Sequence, residues 1–143
     1  MDLERLKGEL RRDEGFVAHP YKDHLGNLTV GCGHLITAND PPPDDPCWRD
    51  PLFLEDVFEI DVNQALIDAD TFVTLGGLPE RVQRVVVNLA FQLGQSRLGK
   101  FVRFQAALEQ GDWRGAAREL EDSRLYRQTP KRVRRHMKVL WNA

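Results

Sequence analysis

Three residues near the start of the chain have the types that one acid–base reaction needs. Glu14, Asp23 and Thr29 lie within DEGFVAHPYKDHLGNLTVGCGHL, residues 13–35. A general acid is a carboxyl whose proton is kept near neutral pH by burial or neighbours. A second, ionised carboxylate can stabilise positive charge or orient a water, and a nearby hydroxyl can hold that water in line. Two carboxylates in unlike environments are what cleavage of a glycosidic bond requires. Most acidic pairs at such spacing are surface charges, so the weight falls on what would position these groups.

The local signals bring the three together. Residues 2–12 read as a helix, with Leu3, Leu6 and Leu10 recurring on one face and Asp2 as N-cap. Gly15 suits the end of that helix, which leaves Glu14 at its terminus. Leu25-Gly26-Asn27 has the composition of a tight hairpin tip, since Gly and Asn tolerate positive φ. Tyr21-Lys22-Asp23 and Leu28-Thr29-Val30 flank it as short strands, within a small antiparallel sheet over residues 16–37.

Farther along, residues 38–51 hold five of the eight prolines and read as an irregular loop that Trp48 tucks against something apolar. Residues 52–75 form the longest apolar-periodic run. Leu54, Val57, Phe58, Asp61, Ala65, Asp68 and Phe72 mark helical spacing, with a second edge at Ile60, Ile67 and Val73. A helix of about 22 residues spans roughly 33 Å, long for so small a domain, and would more naturally connect two lobes. Gly76-Gly77 ends it and Pro79 opens a buried helix over 79–95, in which Asn88, Phe91 and Gln92 are set among valines and leucines. Buried polar groups need partners, and a ligand is one candidate. Two short amphipathic helices, 99–110 and 112–122, follow. A basic helix over 130–141 is started by Thr129 and Pro130.

Bulk composition narrows the class. The chain has 143 residues, 41% hydrophobic and 29% charged, which fits a globular domain with its own core. No apolar run reaches the roughly 20 residues that cross a bilayer. Residues 1–12 lack the apolar block of a signal peptide, so the expected starting compartment is the cytoplasm. Cys32 and Cys47 are expected as free thiols rather than a disulfide scaffold. His19, His24, His34 and His136 lack paired-ligand spacing, so no metal is expected. The net charge of −2 divides into 8 Lys+Arg against 17 Asp+Glu over residues 1–96, and 12 against 5 over residues 97–143. A basic C-terminal part can attract an anionic polymer or form a solvated helical surface.

The words around Glu14 resemble the active-site stretch of the tailed-phage lysozymes. That family's pattern is Glu, eight residues, Asp, five residues, Thr, and Glu14, Asp23 and Thr29 fit it without a gap. DEG at 13–15, YKD at 21–23 and T-x-G-x-GHL at 29–35 match as well. So do Asn88-x-x-Phe91-Gln92-x-Gly94 and Ser123-Arg124-x-Tyr126-x-Gln128-Thr129-Pro130-x-Arg132, in family order.

The resemblance implies an α+β, two-lobed fold: a sheet lobe over about 13–55, a connecting helix over about 52–75, and a helical lobe over about 76–143 joined by the helix at 2–12. It implies hydrolysis of the β-1,4 bond between N-acetylmuramic acid and N-acetylglucosamine in peptidoglycan. Glu14 is then the general acid, Asp23 stabilises the oxocarbenium-like centre, and Thr29 holds water. Leu35, Phe91, Gln92 and Arg124 are implied along the glycan, Arg132 beside Glu14, and His34 paired with Asp61 as a structural link. Phe104 and Glu119 depart in type from further sugar-contact positions of the family.

The implied protein is a monomeric endolysin that needs no cofactor, does not insert stably in a membrane and does not bind nucleic acid. It waits in the host cytoplasm until a separate holin-type membrane protein admits it to the periplasmic wall. Two other readings compete: a wall-binding or virion module without catalysis, and a nucleic-acid binder using Lys131 to Lys138, for which no recognised motif is present.

Overall fold

The computed structural model describes residues 1–143. Seven α-helices and one three-stranded antiparallel sheet make an α+β fold: α1 Leu3–Glu14, β1 Val17–Lys22, β2 Leu28–Gly31, β3 His34–Leu35, α2 Pro51–Phe72, α3 Glu80–Leu98, α4 Val102–Glu109, α5 Trp113–Glu121, α6 Arg124–Gln128 and α7 Pro130–Trp141. Two compact units divide the chain, residues 2–63 and 64–143, the second with Met1.

In the first unit, Asp2 caps α1 by accepting the Arg5 amide at 3.0 Å. Leu6 and Leu10 are fully buried, whereas Leu3, expected on the same face, is exposed. Gly15 ends α1 at φ 70°, a conformation that costs glycine nothing, and its amide bonds Arg11 O at 2.9 Å. Lys7–Glu59 at 2.9 Å, Arg11–Glu55 at 2.7 Å and the Arg11 guanidinium over the Phe58 ring tie α1 to the first half of α2. The first helix, expected with the helical lobe, therefore groups with the sheet.

The sheet has the order β1-β2-β3. Tyr21 pairs with Thr29, Thr29 with Leu35, and Val30 with His34. Because side chains alternate across a strand, Tyr21, Thr29 and Leu35 share one face while Val30 and His34 share the other. The Val30 face supplies the core, packed with Trp48 and Leu54. Between Val17 and Tyr21 the register slips. Pro20 lies there and cannot donate to a ladder, which an edge strand tolerates.

Loop 38–51 is irregular except for a short 3-10 turn, Pro46–Arg49. Trp48 is 0% exposed, donates its indole N–H to Pro41 O and Pro42 O, and meets Phe53 edge-on. It thus tucks the loop against Val30 and Leu54, as expected. Both cysteines are free thiols, Cys32 buried and Cys47 half-buried. Burial pushes the Cys32 thiol pKa up, which keeps it protonated and inert.

Along α2 the buried apolar residues are Leu54, Phe58, Val62, Ala65, Ala69 and Phe72, at steps of three and four. Ile60 and Ile67, expected as a second apolar edge, are instead exposed. In the second unit, Val82, Val85, Val86, Leu89, Ala90 and Leu93 of α3 are buried as expected, and Gly94 breaks the helix at φ 75°. α5 packs on α4 and α7. Asp112 caps α5 through the Gly115 amide. The short helix α6 was not legible as such in the sequence. Thr129 occupies the N-cap position of α7, but its hydroxyl makes no capping bond and donates to Leu125 O instead.

Candidate active site

The end of α1 and the turns of the sheet bring the expected groups onto one framework. Glu14 is the last residue of α1 and half-buried. Gly33 lies in the turn between β2 and β3 at φ 77°, and the position a Cβ would take there is 2.7 Å from Glu14 Oε1. The carboxylate thus rests against bare backbone, a contact that any side chain at 33 would obstruct.

Asp23 follows β1 at the opposite end of β2. Its Oδ1 accepts the amides of Leu25 at 2.9 Å and Asn27 at 2.8 Å, while its own amide donates to Asn27 O at 2.8 Å. Gly26 completes the turn at φ 83°. Two backbone donors fix one carboxylate oxygen and leave the other for different work. Thr29 is 6% exposed, and its hydroxyl donates to Asn27 O at 3.3 Å. Asn27 therefore orients both the acid and the alcohol. From Asn27 to Gly31 runs four steps of roughly 3.3 Å each, so β2 holds the Glu14 and Asp23 ends apart. Leu35, 49% exposed, lies on the Thr29 face.

His34 occupies the opposite face as a structural link. Its Nδ1 bonds Asp61 Oδ2 at 2.7 Å, as expected, and its ring stacks on Trp48. A second carboxylate, Asp40, bonds Nε2 at 3.1 Å, which the sequence reading missed. The signal was present in Thr37-x-x-Asp40: Asp40 Oδ2 also accepts the Thr37 amide, as a turn-forming Asp does. Burial opposes charge on His34, but the hydrogen bonds and negative charges of Asp61 and Asp40 outweigh it and raise its pKa. Burial likewise works against Asp40 ionisation, but the Thr37 amide and His34 lower its pKa overall.

The second unit assembles its own polar set. Arg132, 7% exposed on α7, donates Nε to Asn88 Oδ1 at 2.9 Å. That gives buried Asn88 a protein partner where a ligand had been one candidate. One turn on, Gln92 Nε2 donates to Thr129 Oγ1 at 3.1 Å, while Gln92 Oε1 is buried without a protein partner. Phe91 is half-buried and Arg124 is exposed at the start of α6. Phe104 is a core residue, 1% exposed, which accounts for its departure from a sugar-contact type.

The family model for phage lysozyme matches residues 11–136. The chain is 31% identical to probable T4-type lysozyme 2 of Dictyostelium discoideum, covering 94% of this chain and 92% of that protein. It is 26% identical to probable T4-type lysozyme 1 of the same organism over the same shares. It is also 30% identical to the pre-baseplate central spike protein Gp5 of Enterobacteria phage T4, over 88% of this chain and 26% of that protein.

Proposed function

The chain belongs to the phage lysozyme family, and from that premise we propose that it is a muramidase. It hydrolyses the β-1,4 bond between N-acetylmuramic acid and N-acetylglucosamine in peptidoglycan. Glu14 gives its proton to the bridging oxygen as that bond breaks. Positive charge develops at the sugar carbon, and Asp23 stabilises it with the oxygen its turn leaves uncommitted. A water held by Thr29 attacks that carbon from the far face and passes its proton to Asp23. Leu35, Phe91, Gln92 and Arg124 are the residues that contact the glycan in this reading.

One observation carries the proposal: Glu14 lies against the β2–β3 turn of the same sheet that carries Asp23 and Thr29. Strand length keeps the two acids apart and leaves room for a water, which supports inversion rather than a covalent intermediate.

The test is turbidity loss of outer-membrane-permeabilised Gram-negative cells. Glu14→Gln, folded by circular dichroism, is expected to abolish lysis. Full activity in that variant removes Glu14 as the acid. Mass spectrometry of the products is expected to show reducing muramic ends, and anhydromuramyl ends would show that water is not the nucleophile.

As an endolysin it would release phage progeny from the host. In this reading its passage to the wall depends on a separate holin-type membrane protein; no helix of its own is long and apolar enough to cross a membrane. Co-expression with and without a holin tests this: lysis in both cultures rules out the dependence. The similarity to a phage spike protein supports a second reading, a virion module that contacts the wall. Sedimentation with purified wall, showing binding without lysis, would favour it.

A further inference from the structure

Within residues 64–143, the end of α2, the last turns of α3 and the middle of α4 border a hollow of about 560 Å³. That lies within the roughly 300–1,000 Å³ of small-molecule sites. Its polar lining is Asp68, Thr71, Gln95, Ser96, Lys100 and Gln105, with Phe72 as the apolar wall. No residue of the Glu14, Asp23 and Thr29 set contributes to it, nor do Phe91, Gln92 or Arg124.

Asp68 is 7% exposed, and the bond made to it is from Gln64 Nε2 to Oδ1 at 2.9 Å. Gln64 engages one oxygen, and the other is not sealed off but reaches the surface of the hollow, where it can accept hydrogen bonds from a ligand that donates them. Gln105 is fixed by its Nε2 bond to Phe72 O at 2.7 Å, which leaves its carbonyl oxygen as an acceptor. The Thr71 hydroxyl donates to Ile67 O and keeps lone pairs. Gln95, Ser96 and Lys100 add exposed groups at the rim.

This mixture narrows the ligand. An anion would face the Asp68 carboxylate, and a simple cation would face the Lys100 ammonium. One negative group, one positive group and four neutral hydrogen-bonding side chains around an aromatic wall suit a neutral ligand that both donates and accepts at several points. A pyranose with hydroxyl and acetamido groups has that character.

We propose that this hollow is a second, non-catalytic glycan site that takes an N-acetylated aminosugar unit of the wall polymer. The identity of the sugar rests on the muramidase reading. On a repeating polymer, a weak second site raises the effective concentration of the chain for the catalytic groups.

The probe is tri-N-acetylchitotriose, titrated into ¹⁵N-labelled Glu14→Gln protein so that it is not cleaved. Amide resonances of residues 68–72, 95–100 and 105 are expected to shift and saturate in the millimolar range. Ser96→Trp fills the mouth, and Gln95→Ala removes a rim group. Both are expected to weaken those shifts, the first by about tenfold or more, with the dispersed spectrum retained.

With Glu14 intact, Ser96→Trp is expected to leave cleavage of short soluble glycans unchanged and to slow clearing of intact wall by about threefold or more. Unmoved amides at the hollow overturn the proposal. So do shifts caused by free diaminopimelate and not by the sugar, or an equal slowing on both substrates. Lysis surviving Glu14→Gln alongside saturating shifts at the hollow would sink the catalytic assignment alone. Lost shifts with Glu14-dependent lysis intact would sink this site alone.

Discussion

Consider the loss of the His34–Asp61 link by Asp61→Asn. The imidazole is held by Asp61 at 2.7 Å and Asp40 at 3.1 Å, and the side chains of His34, Asp61 and Asp40 are 18%, 27% and 24% exposed. A hydrogen bond to a charged partner at such partly buried positions contributes about 1.5–3 kcal/mol. Asparagine keeps the shape and removes the charge, so a loss of about 2 kcal/mol is expected, near 6 °C in Tm for a chain of this size.

The sign follows from the direction of the shift. His34 has a folded pKa above its unfolded value. Its contribution is fully present below the ordinary imidazole value of about 6.5 and fades as pH rises through the raised folded value. Asp40, with a lowered folded pKa, contributes above the ordinary carboxylate value of about 3.9 and loses that contribution as pH falls through its folded value. The link is therefore strongest at about pH 5–6.

A double-mutant cycle of Asp61→Asn and His34→Gln, measured by urea unfolding at pH 5.5, 7.5 and 9.5, isolates the coupling from the other histidines. Coupling that is flat across that range, or that grows with pH, would refute the reasoning.

Two further substitutions test the framework around the acids. Gly33→Ala forces a left-handed φ on an L residue and sets a methyl against Glu14 Oε1. About 1–2 kcal/mol of stability should be lost, and turnover by the folded protein should fall by about 100-fold if Glu14 moves by 1 Å. Unchanged turnover with destabilisation alone would mean that Gly33 does not position Glu14. Trp48→Ala empties the centre of the sheet-bearing unit, and thermal unfolding should report a loss of about 3–5 kcal/mol. A cost under about 1 kcal/mol would show that loop 38–51 is held by other contacts.

The local elements could be read from the residues wherever a short-range rule was decisive. Asp2, Glu14-Gly15, Leu25-Gly26-Asn27 and Thr129-Pro130 marked their boundaries because caps and turns depend on residues a few positions apart. The Glu14, Asp23 and Thr29 spacing and its neighbouring words also carried the family. Exposure along a helix is decided otherwise: Leu3, Ile60 and Ile67 satisfy an apolar period yet face solvent, because burial depends on what packs against each turn.

Tertiary structure alone decided the partners. Asp40 joined Asp61 on His34, Asn88 met Arg132 across 44 residues, and Gly33 received Glu14 from another element. Thr129 turned its hydroxyl from capping to Leu125 O and Gln92. A side chain's type fixes how many bonds it can make, but which group completes them is set by how distant segments pack, and no spacing rule encodes that distance.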